Sequence, residues 1–122
     1  MIVLLDSSVL GQLCNPNSSP NTIAVNNWMY SLLGKGVLLV SSHICDYEVR
    51  RSLILNSMRG FSTKGIDSLD ELLEIIGFLP IDKKVLKTAS QIWAEARNRG
   101  ISTADEKSLD ADVIICAQYR LL

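Results

Sequence analysis

The chain begins with MIVLLDSSVL (residues 1–10), and this stretch decides the fold. The four consecutive apolar residues Ile2–Leu5 are long enough for a buried strand of a parallel sheet, and they lead directly to the carboxylate of Asp6. In open α/β sheets the ligand crevice lies outside the carboxyl ends of the strands. Asp6 therefore either lies where a ligand would bind or simply caps the helix that begins near Val9, because Asp and Ser are preferred at helix N-caps.

The rest of the chain alternates short apolar strands with helices. Two further strands are predicted, at 37–40 and 77–82. The predicted helices cover 9–14, 22–33, 43–58, 66–76, 82–99 and a last segment from about 108 to the C-terminus. This alternation indicates parallel β-α units, so we expect the α/β class and one domain over residues 1–122.

Composition limits the classes of function. The formal net charge is -1 and there is no basic run of five or more residues, which argues against a broad cationic surface for duplex nucleic acid but leaves a nuclease open. The three cysteines, Cys14, Cys45 and Cys116, are odd in number and far apart, so a disulfide framework or zinc site is not expected. No apolar run approaches the roughly 20 residues of a membrane helix, and we expect a cytoplasmic protein that does not engage a membrane.

Two more acids stand in informative places. Glu48 lies in the second turn of the helix that follows the second strand, and Asp112 opens an apolar run on a helix that we expect to be largely buried. Buried carboxylates need a compensating partner. The alternatives are structural: Glu48 can pair with Arg51 at i, i+3, and Asp112, like Asp110, can complement the positive end of the helix dipole.

Asp6, Glu48 and Asp112 each follow or open an element that brings them to one edge of a parallel sheet. Two like charges about 4 Å apart repel by about 4 kcal/mol at an effective dielectric of 20, so a cluster of acids needs a cation. Oxygen ligands without His or Cys favour Mg²⁺ or Mn²⁺ over zinc. Such an ion polarises a phosphoryl oxygen and lowers the pKa of bound water, which is the chemistry of phosphodiester hydrolysis.

Three segments, 4–10, 47–51 and 110–117, resemble the PIN-domain ribonucleases in their residues and in their order along the chain. Within that family they resemble the VapC-like toxins of toxin–antitoxin pairs. The resemblance implies a three-layer PIN-like fold with a parallel sheet flanked by helices. It implies metal-binding, catalytic roles for the acids Asp6, Glu48 and Asp112, a small polar residue beside them at Ser8, and an auxiliary acid at Asp110. PIN domains usually continue into further strands, so the C-terminal strands are expected to be missing here.

The function implied by this resemblance is a Mg²⁺- or Mn²⁺-dependent endoribonuclease that hydrolyses RNA phosphodiesters, as the toxin of a toxin–antitoxin pair. An RNA substrate, an antitoxin protein and a second copy in a homodimer are the expected partners. Arg50 or Arg51 would contact RNA phosphate, unless both are ordinary solvent-facing arginines on a helix.

Two other functions remain open. One is a PIN-like binding module without catalytic activity. The other is a phosphatase of the haloacid-dehalogenase type, which also begins with an apolar strand and an Asp. That family expects a second acid two residues further on, where this chain has Ser8, and it expects a lysine motif that the sequence does not supply.

Overall fold

The computed structural model describes residues 1–17, 19–101 and 111–122. Within these ranges the chain forms three strands and six helices. They are β1 (Ile2–Leu4), α1 (Ser7–Cys14), α2 (Pro20–Gly34), β2 (Leu38–Ser42), α3 (His43–Met58), α4 (Lys64–Ile75), β3 (Gly77–Leu79), α5 (Lys83–Asn98) and α6 (Ala111–Leu121). The predicted order of elements is confirmed within these ranges. The expected start of the last helix, residues 108–110, lies outside the described part of the chain.

The strand order in the sheet is β1-β2-β3. β1 pairs with β2 in parallel, with Val3 opposite Leu39 in the register. The pairing extends past the end of β1, because the backbone N–H of Leu5 donates to the carbonyl of Val40 at 2.8 Å and the hydroxyl of Ser41 donates to the carbonyl of Leu5 at 2.8 Å. β1 therefore ends in a fixed position beside β2, and the residue that follows Leu5, Asp6, starts from a defined place.

Side-chain caps determine where four of the helices begin. Asp6, Ser19, Ser42 and Asp82 are the N-cap residues of α1, α2, α3 and α5, and each side chain accepts a hydrogen bond from a backbone N–H in the first turn. Such caps satisfy donors that a helix leaves unpaired at its N-terminus. The cap at Asp6 starts α1 at Ser7, two residues before the predicted start near Val9.

The chain divides into two compact units, Met1–Phe78 and Leu79–Leu122. In the first unit, α1 packs against α2, α3 and α4, and side chains from strands and helices form its buried core. The most buried of these apolar side chains are Leu5, Leu10, Met29, Leu39 and Leu69. This first unit contains β1, β2 and the candidate residues Asp6, Ser8, Glu48, Arg50 and Arg51.

The second unit is built on the packing of α5 against α6. Its buried side chains include Val85 and Ala89 from α5 and Val113, Ile114 and Ala117 from α6.

The predicted three-layer PIN-like fold is corrected. The α/β class and the parallel sheet are present, but helices dominate the described residues, and the strands span only three, five and three residues. Most core side chains are supplied by helices rather than by a wide sheet with a helical layer on each face. The assignment of residues 1–122 to one domain stays a prediction. Across the described ranges no helix is both long enough and apolar enough to span a membrane.

Candidate functional site

Asp6 lies just beyond β1, at the carboxyl end of the parallel strand pair, and its side chain is exposed. One carboxylate oxygen, Oδ1, accepts a hydrogen bond from the backbone N–H of Val9 at 3.0 Å, so Asp6 caps α1 as the structural alternative predicted. Within the described residues the second oxygen, Oδ2, accepts no hydrogen bond. Capping therefore leaves half of this carboxylate available at the sheet edge.

Glu48 is held next to the residue that follows Asp6. The hydroxyl of Ser7, the first residue of α1, donates to Oε1 of Glu48 on α3 at 2.7 Å. The Glu48 side chain is 30% exposed, so its carboxylate is neither buried nor fully solvated. The structure thus holds the Glu48 carboxylate beside Ser7, the residue that follows Asp6.

Ser8 does not make the contact with the acids that was expected of it. Ser8 is exposed, and its hydroxyl makes no hydrogen bond within the part of the chain that the structure describes. Ser7 is the polar residue that contacts an acid, and it was not among the residues predicted for the site. The only signal for Ser7 was its position directly after Asp6.

The two candidate arginines have different surroundings. Arg50 forms a salt bridge with Asp46 within α3 at 3.0 Å and one with Asp70 at 2.8 Å, and the second ties α3 to α4. The side-chain hydrogen bond to Asp46 raises the pKa of Arg50 above its ordinary value, so this guanidinium is committed to structural contacts. Arg51 is more exposed; it lies 3.9 Å from Oε2 of Glu48 and stacks over the ring of Tyr47. Of the two, Arg51 lies beside the acid.

Asp112 belongs to the second unit and stands in the first turn of α6. The helix is buried through Val113, Ile114 and Ala117, as its apolar sequence predicted, but Asp112 itself is exposed. The side chain of Asp112 is therefore not buried with the residues that follow it, contrary to expectation. Asp110, the predicted auxiliary acid, lies outside the described residues.

A complete metal centre is not seen. In residues 1–17, 19–101 and 111–122 no three His, Cys, Asp or Glu side chains lie close enough together to hold an ion. Asp6 and Glu48 nonetheless supply the oxygen ligands that a hard divalent ion prefers. The first unit therefore presents a pair of acids at the carboxyl end of β1, with Ser7 and Arg51 beside them.

The sequence matches no protein-family model, and no curated protein is similar to it. The fold is nevertheless similar to that of chains in solved structures. One is the crystal structure of VapBC2 from Rickettsia felis bound to a DNA fragment from their promoter, which matches with a TM-score of 0.69 and 16% identity over 96% of this chain and 78% of that chain. Another is the crystal structure of FitAcB from Neisseria gonorrhoeae, with a TM-score of 0.62 and 28% identity over 98% of this chain and 81% of that chain.

These comparisons correct the assignment to the PIN-domain ribonucleases. No family model supports that membership, and the neighbours are described as VapBC2 with promoter DNA and as FitAcB, not as a ribonuclease of that family. At 16% identity the likeness to the first structure shows a shared fold alone. Any activity of the chain has to be argued from its own residues.

Proposed function

We propose that this chain is a Mg²⁺- or Mn²⁺-dependent endoribonuclease that hydrolyses phosphodiesters of single-stranded RNA. The observation that carries the proposal is the hydrogen bond from Ser7 to Glu48, because it brings a second acid to the strand end that presents Asp6. Ligands bind outside the carboxyl ends of strands in such sheets. An acid pair at that edge offers the oxygen ligands that a hard divalent ion prefers.

The donor set fits a hard divalent ion. Asp6 has one carboxylate oxygen without a hydrogen bond in the described residues, and Glu48 keeps Oε2 for an ion or for its distant contact with Arg51. A role of Asp112 as a metal ligand stays a prediction. When bound, a divalent ion polarises a phosphoryl oxygen and lowers the pKa of a coordinated water.

The neighbouring residues have supporting roles. Ser7 fixes the orientation of the Glu48 carboxylate by donating to one of its oxygens. Arg51 is weakly paired at 3.9 Å and more exposed than Arg50, so it is the guanidinium free to bind an RNA phosphate by charge-assisted hydrogen bonds. Arg50 keeps its structural role between α3 and α4.

The chain is further proposed to act as one half of a toxin–antitoxin pair. This rests on its fold likeness to VapBC2 and FitAcB, the first of which was solved with DNA from the promoter of its own proteins. A protein antitoxin is the proposed partner, and the homodimer stays a prediction. The alternative supported by the same likeness is a binding protein without catalysis, and the experiment below separates the two.

The decisive test replaces the acids without disturbing the helix that one of them caps. Asp6→Asn preserves the cap of α1, since Asn is as good an N-cap as Asp, and Glu48→Gln keeps an oxygen for Ser7. We expect each change to reduce Mg²⁺- or Mn²⁺-dependent cleavage of a single-stranded RNA by more than the roughly 10–100-fold typical of residues that only orient a ligand. Glu74→Gln, at an exposed acid of α4, is the matched control and should cleave as the parent does.

The outcomes are distinct. Cleavage by the parent that stops with a chelator, returns with Mg²⁺ or Mn²⁺ and is lost in both variants supports the nuclease. Equal cleavage by the parent, Asp6→Asn and Glu48→Gln would show that the acid pair is not the site. A parent that binds a partner protein but cleaves no RNA with either ion would leave the non-catalytic alternative.

A further inference from the structure

The first unit contains a cavity of about 400 Å³ that the acid pair does not explain. It lies between the end of α1, the end of α3 and the start of α4, and two of its walls are Gly11 and Gly65. Among the described residues, its polar lining consists of uncharged groups from three asparagines and a serine: Asn15, Asn17, Asn56 and Ser62. A cavity of this size with a few neutral polar groups suits a small planar ligand.

The cavity lies along the same helices as the acid pair. Gly11 is four residues after Ser7 in α1, and Asn56 is eight residues after Glu48 in α3. Residues four and eight apart share a helix face, so both helices present the cavity on the side that carries the Ser7–Glu48 contact. With a rise of 1.5 Å per residue, the cavity begins about 6 Å beyond Ser7 along α1 and reaches about 12 Å beyond Glu48 along α3.

The ring of Phe61 and the side-chain amide of Asn56 are positioned to recognise a planar ligand. Phe61 lines the cavity although its side chain is 67% exposed, which leaves a ring face for stacking. The side-chain amide of Asn56 makes no hydrogen bond within the described ranges. An amide offers a donor and an acceptor side by side, which is the pattern that pairs with the N6 and N7 edge of adenine.

We propose that this cavity is a base-recognition site that holds one unpaired nucleobase, adenine before the others, beside the phosphodiester at the acid pair. The inference rests on the proposed ribonuclease function and names its substrate contact. Proteins that read single-stranded RNA stack splayed bases on aromatic side chains and hydrogen-bond their edges. Phe61 is the stacking platform, Asn56 reads the base edge, and the absence of side-chain volume at Gly11 keeps the cavity open.

The first experiment measures binding without cleavage. Nuclear magnetic resonance spectra of the full chain are recorded during titration with adenosine 5′-monophosphate, uridine 5′-monophosphate and ribose 5-phosphate. We expect the adenine nucleotide to shift the Asn56 side-chain amide and the backbone amides of Gly11 and Phe61, with weaker shifts from uridine. Ribose 5-phosphate should leave these signals in place, because it lacks a base.

Variants then test the named contacts. Phe61→Ala should weaken adenosine monophosphate binding about fivefold or more, in line with measured base–aromatic stacking, while Phe61→Trp retains it. Tyr30→Ala removes an aromatic side chain of similar exposure outside the cavity and should bind as the parent does. Asn56→Leu, a replacement of similar size without hydrogen bonds, should remove the preference for adenine over uracil.

The result that overturns the inference is an absence of adenine-dependent shifts at the cavity, or shifts that ribose 5-phosphate reproduces. RNA cleavage in that case would leave the proposed function standing without this site. Adenine-dependent shifts in a chain that cleaves no RNA would support the cavity as a nucleobase site while the nuclease proposal fails.

Discussion

The hydroxyl of Ser7 donates to Oε1 of Glu48 at 2.7 Å, joining two residues that are 41 positions apart in the sequence. Ser7 is the first residue of α1 and Glu48 lies on α3, so this contact links the end of β1 to the helix that follows β2. Beyond this hydrogen bond, α1 and α3 pack against each other. The contact therefore serves both to align the helices and to orient a carboxylate at the candidate site.

Replacing Ser7 by Ala tests this double role. We expect Ser7→Ala to lower the free energy of unfolding by only about 1 kcal/mol, because one partly exposed hydrogen bond is lost. The loss of RNA cleavage, expressed as a free energy of activation, should exceed this loss of stability, since the Glu48 carboxylate loses its orientation. Ser8→Ala, one residue further on at an exposed position, is the control for urea unfolding and for cleavage. Identical cleavage by both variants would show that Ser7 does not position Glu48.

Two glycines offer a matched pair. A Cβ at Gly65 would lie 2.7 Å from Cδ2 of Leu53 and 3.3 Å from the carbonyl oxygen of Cys14, whereas a Cβ at Gly11 would meet nothing within 4 Å. Gly11→Ala should therefore stabilise the protein by about 0.5–1 kcal/mol through helix propensity. Gly65→Ala should lose that gain to crowding and be less stable than Gly11→Ala by about 1 kcal/mol or more. Urea unfolding of both variants checks this, and a Gly65→Ala at least as stable as Gly11→Ala would contradict the close packing.

Much of the first unit follows from the sequence because its determinants are local. The bounds of α3, 43–58, were predicted because Ser41 or Ser42 can cap a helix there and Gly60 follows it, and Ser42 is the cap. Apolar runs likewise predicted β1 and β2. These features depend on propensity and capping within a few residues, which a single sequence records directly.

The site was predictable only in part, because side-chain direction depends on tertiary packing. Ser7 and Ser8 are consecutive in α1 and so point about 100° apart, and the sequence alone does not tell which one faces α3. The exposure of Asp112 was missed for a similar reason, since it opens a helix whose next residues are buried. The cavity lined by Asn56 and Phe61 draws on three helices, and no local pattern indicates it.

The buried thiol of Cys14 makes the free energy of unfolding fall as the pH rises into the alkaline range. Burial raises the pKa of Cys14 from 9.0 to about 12, against a smaller lowering by Arg50, so the unfolded chain releases this proton first as the pH rises. The contribution to stability is complete below about pH 9 and is lost between pH 9 and 12, by about 1.4 kcal/mol per pH unit.

Urea unfolding between about pH 8 and 11 measures this slope. The comparison is with Cys14→Ala, which should show a flatter decline than the parent. Cys116→Ala, at an exposed thiol, should retain the parent's slope. Equal slopes for the parent and Cys14→Ala would mean that the Cys14 thiol ionises as readily in the folded protein as in the unfolded chain.

In the second unit, Gln118 holds the chain that leads from β3 to α5. Its side chain is only 3% exposed, and Nε2 donates to the carbonyls of Leu79 at 3.2 Å and Pro80 at 3.1 Å. In Gln118→Glu, carboxylate oxygens would face these carbonyl oxygens instead of a donor. Burial and this repulsion raise the pKa of the new carboxyl, so we expect a loss of about 3 kcal/mol at pH 7, where the unfolded chain ionises freely.

The sign of the pH effect distinguishes charge from simple loss of the hydrogen bonds. Below about pH 4 the carboxyl that Gln118→Glu introduces is mostly protonated in both states, so the penalty should shrink as the pH falls and grow as it rises through the ordinary Glu pKa of about 4.3. Gln118→Met, of similar size and without charge, should cost about 1–3 kcal/mol at every pH because both carbonyls lose their donor. Urea unfolding at about pH 4, 5.5 and 7 makes the comparison. A Gln118→Glu penalty that stays constant with pH, parallel to that of Gln118→Met, would show that the new carboxyl is solvated and that Gln118 does not hold a buried contact.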